Sequence, residues 1–352
     1  INGSVVALPA CPLIHQTGSW LGCFLPMLSG GSIVMSSSRG FNPDVCLNLV
    51  EQYRVTDLVF IGDAFAKPIL ESLDFALKRD DPYDKEPTMI VDSHAHIFPP
   101  MGGPSGHSTV RQHMRHIQHM LKLHHQPVRR TGDNSVITNQ TLYDGIDDSL
   151  DGLADVGFRA GDHGRFAWSV AGVEHHLQYL PPALSRLASP PELMVAQMDY
   201  VGVDKAVLQT GHSYGKLNRY LADAVERFPG RFWALAMVDE WRVDEAGQRR
   251  TLDRAINELG LHALWFCHNN LRLHGRSKPI DDPKFRPFWD HVRDMGIPVF
   301  WFVTSSVPGR ASYLAEHAAF GRWAQRYPEI PCVYTHGIPR LEILPYIFNF
   351  FM

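Results

Sequence analysis

From residue 89 onward, short apolar runs alternate with amphipathic stretches, and this alternation constrains the fold more than any other feature of the chain. The runs are MIVDSHAH (89–96), KAVLQTGHS (205–213), FWALAMVDE (232–240), HALWFCHN (262–269), IPVFWFVTS (297–305) and IPCVYTHG (330–337). Between them lie helical patterns such as KLNRYLADAVERF and EAGQRRTLDRAINELG. Strands that alternate with helices specify a parallel sheet, open or closed into a barrel. Several runs end in His, Asp, Glu or Asn, and the C-terminal ends of parallel strands are where α/β barrels carry their chemistry. Six such strands are legible before Met352, fewer than the eight of a full barrel.

Residues 1 to about 85 have another rhythm, in which short apolar runs are broken by Gly, Ser and Pro. FNPDVCLNLVEQYRVTDLVFIGD reads as a helix from Asn42 or Pro43 to Tyr53, then a buried strand over 56–61. KRDDPYDKEP (78–87) is charged, carries two prolines and lacks apolar periodicity, which marks it as the linker. The resulting division is 1–84, a junction at 85–88, and 89–352.

A formal net charge of −4 provides no basic face, so nucleic acid is not an expected partner. No apolar run approaches the roughly 20 residues that span a bilayer. Cys11, Cys23, Cys46, Cys267 and Cys332 are scattered and form no C-x-x-C pair. They read as reduced thiols of an intracellular, cytoplasmic protein.

Nineteen histidines carry most of the chemical information. Alternate residues of a strand share a face, so Asp92, His94 and His96 point the same way. Two neutral imidazoles converging at a strand end suit a divalent metal with an open position for water or substrate, with Asp92 in support. The plainer alternative is a strand end carrying two solvated histidines. His336 ends the last run, with Gly337 permitting a sharp exit turn. His212 and His268 also follow strand runs and are weaker candidates. HMRHIQHMLKLHH (113–125) places His113, His116 and His119 near one helical face, read as a polar face at a pocket mouth. His291 and His317 fall on outer barrel helices and read as surface residues. Trp265, His268, Asn269 and Trp301, near strand ends, are the expected substrate contacts.

MIVDSHAHIFPP, GVDKAVLQTG, RFPGRFWALAMVD, DDPKFRPFWDHVRDMGIPVFW and RYPEIPCVYTHG together resemble the amidohydrolase superfamily. The branch is amidohydrolase-2, which includes the aminocarboxymuconate-semialdehyde decarboxylase-like enzymes. The resemblance implies a (β/α)8 TIM-barrel-like fold over 89–352, here C-terminally incomplete with about six strands. It also implies a divalent metal, zinc first and manganese second, and hydrolysis or non-oxidative decarboxylation of a small carboxylated or aromatic substrate. His94 and His96 match the family's H-x-H metal pair, and His336 its later strand-end histidine. Two departures stand out. Phe302 occupies a position where the family often has a ligating histidine, and the chain ends before the family's last aspartate, leaving no obvious general acid or base.

PLIHQTG (12–18), LSGGSIV (28–34), FNPDVCLNLVEQYRVT (41–56) and GDAFAKPILESLDFALKRDDPYD (62–84) resemble an interior piece of an acyl-CoA synthetase of the adenylate-forming superfamily. Such a piece lacks the loop that cradles ATP phosphates. The expected organisation is therefore an N-terminal α/β fragment joined to a shortened metal-dependent barrel. Homodimerisation is one way to cover the faces left open, including the apolar run LEILPYIFNFFM. The competing readings are an inactive fused fragment or a ligase remnant.

Overall fold

The computed structural model describes residues 5–10, 26, 31–36, 38, 41–59, 63–77, 89–122, 126–302 and 309–335. The chain divides into two compact units, Ile1–Thr88 and Met89–Met352. The linker segment 78–87, His336 and the run 341–352 lie outside the described residues.

In the first unit, β1 (Val6–Pro9) is flanked in parallel by β2 (Ser32–Ile33) and β3 (Asp57–Val59). Helix α1 (Pro43–Tyr53) begins where its sequence signals lie. Asn42 is extended and its Oδ1 accepts from the Val45 N–H at 3.1 Å, while Pro43 supplies a first residue already bent for the helix. Helix α2 (Asp63–Leu77) follows. Leu8, Val34, Cys46 and Ile69 close a small core. The strand expected to be buried is only half-buried where described, with Asp57 exposed, because β3 stands at the edge of this sheet.

The second unit opens with β4 (Val91–Ala95). An insertion follows: helix α3 (Val110–Leu121), then β5 (Val128–Arg130), β6 (Val136–Ile137), β7 (Arg159–Ala160), β8 (Arg165–Val170) and β9 (Val173–Gln178). These strands form an antiparallel sheet in the order β6-β5-β9-β8-β7. The β8–β9 hairpin turns through Ala171 and Gly172, both at positive φ (49° and 79°), the geometry that suits the right-handed twist of paired strands. Alternation along β8 buries Phe166 and Trp168.

The strand–helix repeat then resumes. Helix α4 (Pro191–Val201) leads to β10 (Lys205–Leu208), α5 (Asn218–Arg227) to β11 (Phe232–Ala236), and α6 (Ala246–Asp253) to β12 (Ala263–Cys267). Helices α7 (Asn269–Leu273) and α8 (Arg286–Met295) precede β13 (Val299–Phe302), and α9 (Gly309–Arg326) precedes β14 (Cys332–Thr335). The sheet order is β14-β13-β12-β11-β10-β4, parallel throughout. Each apolar run singled out in the sequence is one of these strands, laid side by side in chain order, as a singly wound barrel requires.

Period-two alternation divides the large side chains between two cores. Val207, Leu235, Ala263, Trp265 and Cys267 cluster on one face with Trp233, Phe300 and Phe302. Phe266 and Trp301 belong to the other core, with Phe288 and Trp289 of α8 and Phe320 and Trp323 of α9. Burying an indole removes on the order of 200 Å² from water, roughly 5 kcal/mol of transfer free energy per ring. This layer therefore clamps the outer helices to the sheet. Among the described residues no helix is long and apolar enough to cross a membrane.

Candidate metal centre and adjoining cavity

At the end of β4 the Nε2 atoms of His94 and His96 lie 3.1 Å apart, their ring planes 71° from parallel. The His96 Nδ1–H donates to the Gln209 carbonyl, just past β10, at 3.2 Å. That bond sets the tautomer and leaves the lone pair on Nε2. Two bare lone pairs at this separation repel, so a proton or a cation belongs between them. A tetrahedral ion with imidazole bonds near 2.05 Å holds its nitrogens roughly 3.3 Å apart, so the pair fits one ion with little adjustment. Burial pushes His94 below the ordinary imidazole value, against the opposing pull of Asp92, and favours the neutral, ligating form. Asp92 itself is exposed, and its Oδ1 accepts from the His94 backbone N–H at 3.0 Å. Tyr214 stacks on His96 at 4.6 Å and on Phe98 at 5.0 Å, holding the ring from its far side.

A cavity of about 270 Å³ adjoins His96, and Tyr214, Trp265, Asn269 and Phe302 contribute to its wall. Of the four residues read from the sequence as substrate contacts, Trp265 and Asn269 line this cavity. His268 and Trp301 do not line this cavity; they border a separate recess with Glu316 and His317. The reason is strand alternation. Trp301, 1% exposed, faces the outer helices and packs 4.9 Å from Trp323 and 6.0 Å from Trp289. Phe302 points the other way, 5.5 Å from Trp265, and offers no ligand atom where β13 ends. His336 lies outside the described residues.

His212, a weaker candidate from sequence, does line the cavity. Its Nε2–H donates to Glu240 Oε2 at 2.7 Å. Glu240 is fully buried, and its Oε1 also accepts from the Cys267 N–H at 3.2 Å and from Asn270 Nδ2 at 3.0 Å. Glu240 closes the FWALAMVDE run, and that strand-end position was its only signal in the sequence.

Of the α3 histidines read as a polar face at a pocket mouth, His116 and His119 do line the cavity, but the face is not an exposed one. His113, His116 and His119 are 0%, 7% and 5% exposed, because the insertion folds over the helix. Gln118 donates to the Leu142 and Ala154 carbonyls, and the His113 ring bridges the Gly103 and Ser213 carbonyls at 2.8 and 2.9 Å. His119 contacts Lys122 and the Asp148 carbonyl, and burial lowers it to about 3. His317, expected at the surface, is buried within α9, its Nδ1–H donating to the Tyr313 carbonyl at 2.7 Å. His291 is half-buried and ties α8 to α6 through Asp253 at 2.7 Å.

A parallel sheet wound in chain order, with paired imidazoles where its first strand ends, has the build of the α/β-barrel class that gathers polar groups at strand C-termini. The family profile described as Amidohydrolase matches residues 91–339, and the chain belongs to that family. Among solved structures it is similar to an uncharacterised TIM-barrel protein from Bordetella bronchiseptica (21% identity, TM-score 0.35, 45% of this chain and 56% of that one). A 2,6-dihydroxybenzoate decarboxylase from Rhizobium is another (17% identity, TM-score 0.32, 42% and 55%). A stretch of 100 residues is 32% identical to a medium/long-chain-fatty-acid–CoA/3-oxocholest-4-en-26-oate–CoA ligase of Mycolicibacterium smegmatis. Another 100-residue match, at 29%, is to the 3-oxocholest-4-en-26-oate–CoA ligase of Rhodococcus rhodochrous. Each match takes in 28% of this chain, which spans 17% and 18% of the length of these ligases.

Proposed function

We propose that residues 89–352 form a metal-dependent hydrolase or non-oxidative decarboxylase acting on a small carboxylated or aromatic substrate. His94 and His96 would hold a divalent ion, zinc or manganese, with His336 as a third ligand. The observation that carries this reading is the 3.1 Å approach of the two Nε2 atoms beside an aromatic-walled cavity. When bound, the ion supplies Lewis acidity, activating water or orienting a substrate carboxylate. The remaining work falls to the chain's own groups. The Gln209 carbonyl and the Tyr214 ring hold His96 in place, Trp265 and Phe302 offer flat apolar walls, and Asn269 adds an amide to the lining. Asp92, bonded to the His94 N–H, steadies the strand end.

The test is the ion content of the dialysed chain beside a His94→Ala/His96→Ala variant, followed by assays of CO2 release from aromatic carboxylates and of amide or lactone hydrolysis. One ion fewer in the variant, with turnover in either assay, supports the reading. Equal ion content in the two proteins would falsify it.

A second reading, a barrel unit that keeps its fold without turnover, is favoured by Phe302, a phenyl ring at a position where the family resemblance implies a ligand. Loss of the ion in the variant with no turnover in the parent would select it. For residues 1–84 the proposed reading is an acyl-CoA-ligase-like segment.

A further inference from the structure

We propose that His107, His116 and His212 form a second metal site, suited to a divalent cation that prefers imidazole nitrogen, such as zinc. The proposal does not depend on an ion at His94 and His96. One ring nitrogen from each of the three residues lies within 4.8 Å of the others, and all three side chains are buried. Drawing them to the roughly 3.3 Å of a tetrahedral ion asks each ring to move by about 0.9 Å at most.

The hydrogen bonds leave one ring nitrogen of His107 and one of His212 with a lone pair for a cation. The His107 Nε2–H donates to the His212 carbonyl at 3.0 Å, which leaves Nδ1 with its lone pair. The His212 Nε2–H donates to Glu240, and His212 Nδ1 is buried with no hydrogen-bond partner. Buried polar atoms are rarely left unpaired, so this one calls for an explanation, and a cation supplies it. A carboxylate behind a ligating imidazole is the usual outer support of a protein metal site. His116 lies between the other two, its ring centroid 4.9 Å from His107 and 5.2 Å from His212.

The backbone beneath the site is built tightly. The Lys216 N–H donates to the Ser105 carbonyl at 2.7 Å, and Gly106 sits at φ +81°, where a Cβ would fall 2.4 Å from the Lys216 carbonyl oxygen. Gly215, at φ +128°, meets Ser105 in the same way. Two glycines thus bring the segments carrying His107 and His212 into backbone contact. Lys216, the nearby cation, is paired with Asp239 at 2.5 Å. His274, stacked on Trp241 at 3.4 Å with a buried, unpartnered Nε2, stands 5.3 Å from His116 and is the candidate for a fourth ligand. Otherwise the fourth position is open to water or substrate. His116 borders both the cavity beside His96 and a neighbouring one of about 440 Å³.

The experiment uses the full chain carrying His94→Ala/His96→Ala, stripped with chelator and dialysed against zinc. The expected result is one zinc per chain, with X-ray absorption showing at least three imidazole nitrogens at about 2.0–2.1 Å. Adding His116→Gln or His212→Gln removes that ion, and adding Glu240→Gln weakens its binding about 10–100-fold. No zinc in the parent, an oxygen-dominated shell, or full zinc content in the histidine variants overturns the proposal. Should those variants unfold, the absorption spectrum of the parent decides alone. Failure of the reading at His94 and His96 is seen separately, as equal ion content in the wild-type chain and this parent.

Discussion

The Nε2 atoms of His94 and His96 face each other across 3.1 Å, with the His96 Nδ1–H held by the Gln209 carbonyl. Without a cation this contact is a single hydrogen bond between neutral rings. Ion binding competes with protonation of the rings, so the affinity of this pair falls as pH drops into the range where they become charged, which for the buried His94 lies below the ordinary imidazole value. Metal-binding isotherms at pH 7.5 and 5.5 should show weaker binding at the lower pH, and the same affinity at both would count against ligation by these rings.

Glu240 accepts three hydrogen bonds while fully buried. Glu240→Ala strands the His212, Cys267 and Asn270 donors and should destabilise the unit by about 3 kcal/mol. Glu240→Gln keeps the shape and part of the bonding, and should lose less. Urea denaturation of the two variants checks the order, and a reversed ranking would mean that the carboxyl group is not the anchor described.

Gly106→Ala should be more damaging than an ordinary loop substitution, because the new Cβ meets the Lys216 carbonyl at 2.4 Å on a backbone at φ +81°. A loss of about 2–4 kcal/mol is expected, together with poorer zinc retention at the neighbouring His107. A melting temperature within a degree of wild type would show that the loop yields freely.

Trp301→Ala opens a void in the indole layer beneath α8 and α9 and should cost about 3–5 kcal/mol. The control is Tyr200→Ala, since Tyr200 is 72% exposed; its effect should stay within about 0.5 kcal/mol. Chemical denaturation reads both.

Acid should unfold this protein early. Burial lowers His107 and His268 to about 4, and His119 and His274 to about 3. The unfolded chain binds these protons near pH 6.5, so from there down to about pH 4 it holds more protons than the folded state. Stability is then lost as pH falls, at up to about 1.4 kcal/mol per unit for each group. Glu316, pushed up to about 8 by burial, acts in the opposite sense, contributing stability at low pH that fades as pH rises toward 8. One carboxyl group does not offset this set of imidazoles below pH 6. Urea midpoints should be lower at pH 5 than at pH 7; a flat or rising midpoint would refute this.

Much of the fold was legible because strand and helix periodicity are local properties. The strands of the parallel sheet announced themselves as apolar runs, and α1 announced itself through Asn42 and Pro43. The antiparallel insertion was not legible, since β5, β6 and β7 are two or three residues long and the hairpin turns on Ala171-Gly172 rather than on the stronger Asn-Gly or Asp-Gly signal. The H-x-H pair was visible as spacing within one strand. His107 carried no signal at all, being a lone histidine in a Gly- and Ser-rich loop.

The sequence by itself determined which segments pair into the parallel sheet and placed His94 and His96 together, because both follow from residues within a few positions of one another. Only the tertiary structure decided that the α3 histidines are buried, that Trp301 faces the helices while Trp265 faces the cavity, and that His107, His116 and His212 meet. Those residues are separated by up to 105 positions in the chain. Their meeting depends on two backbones in contact at Gly106 and Gly215 and on an insertion folded over a helix, and no local pattern encodes either.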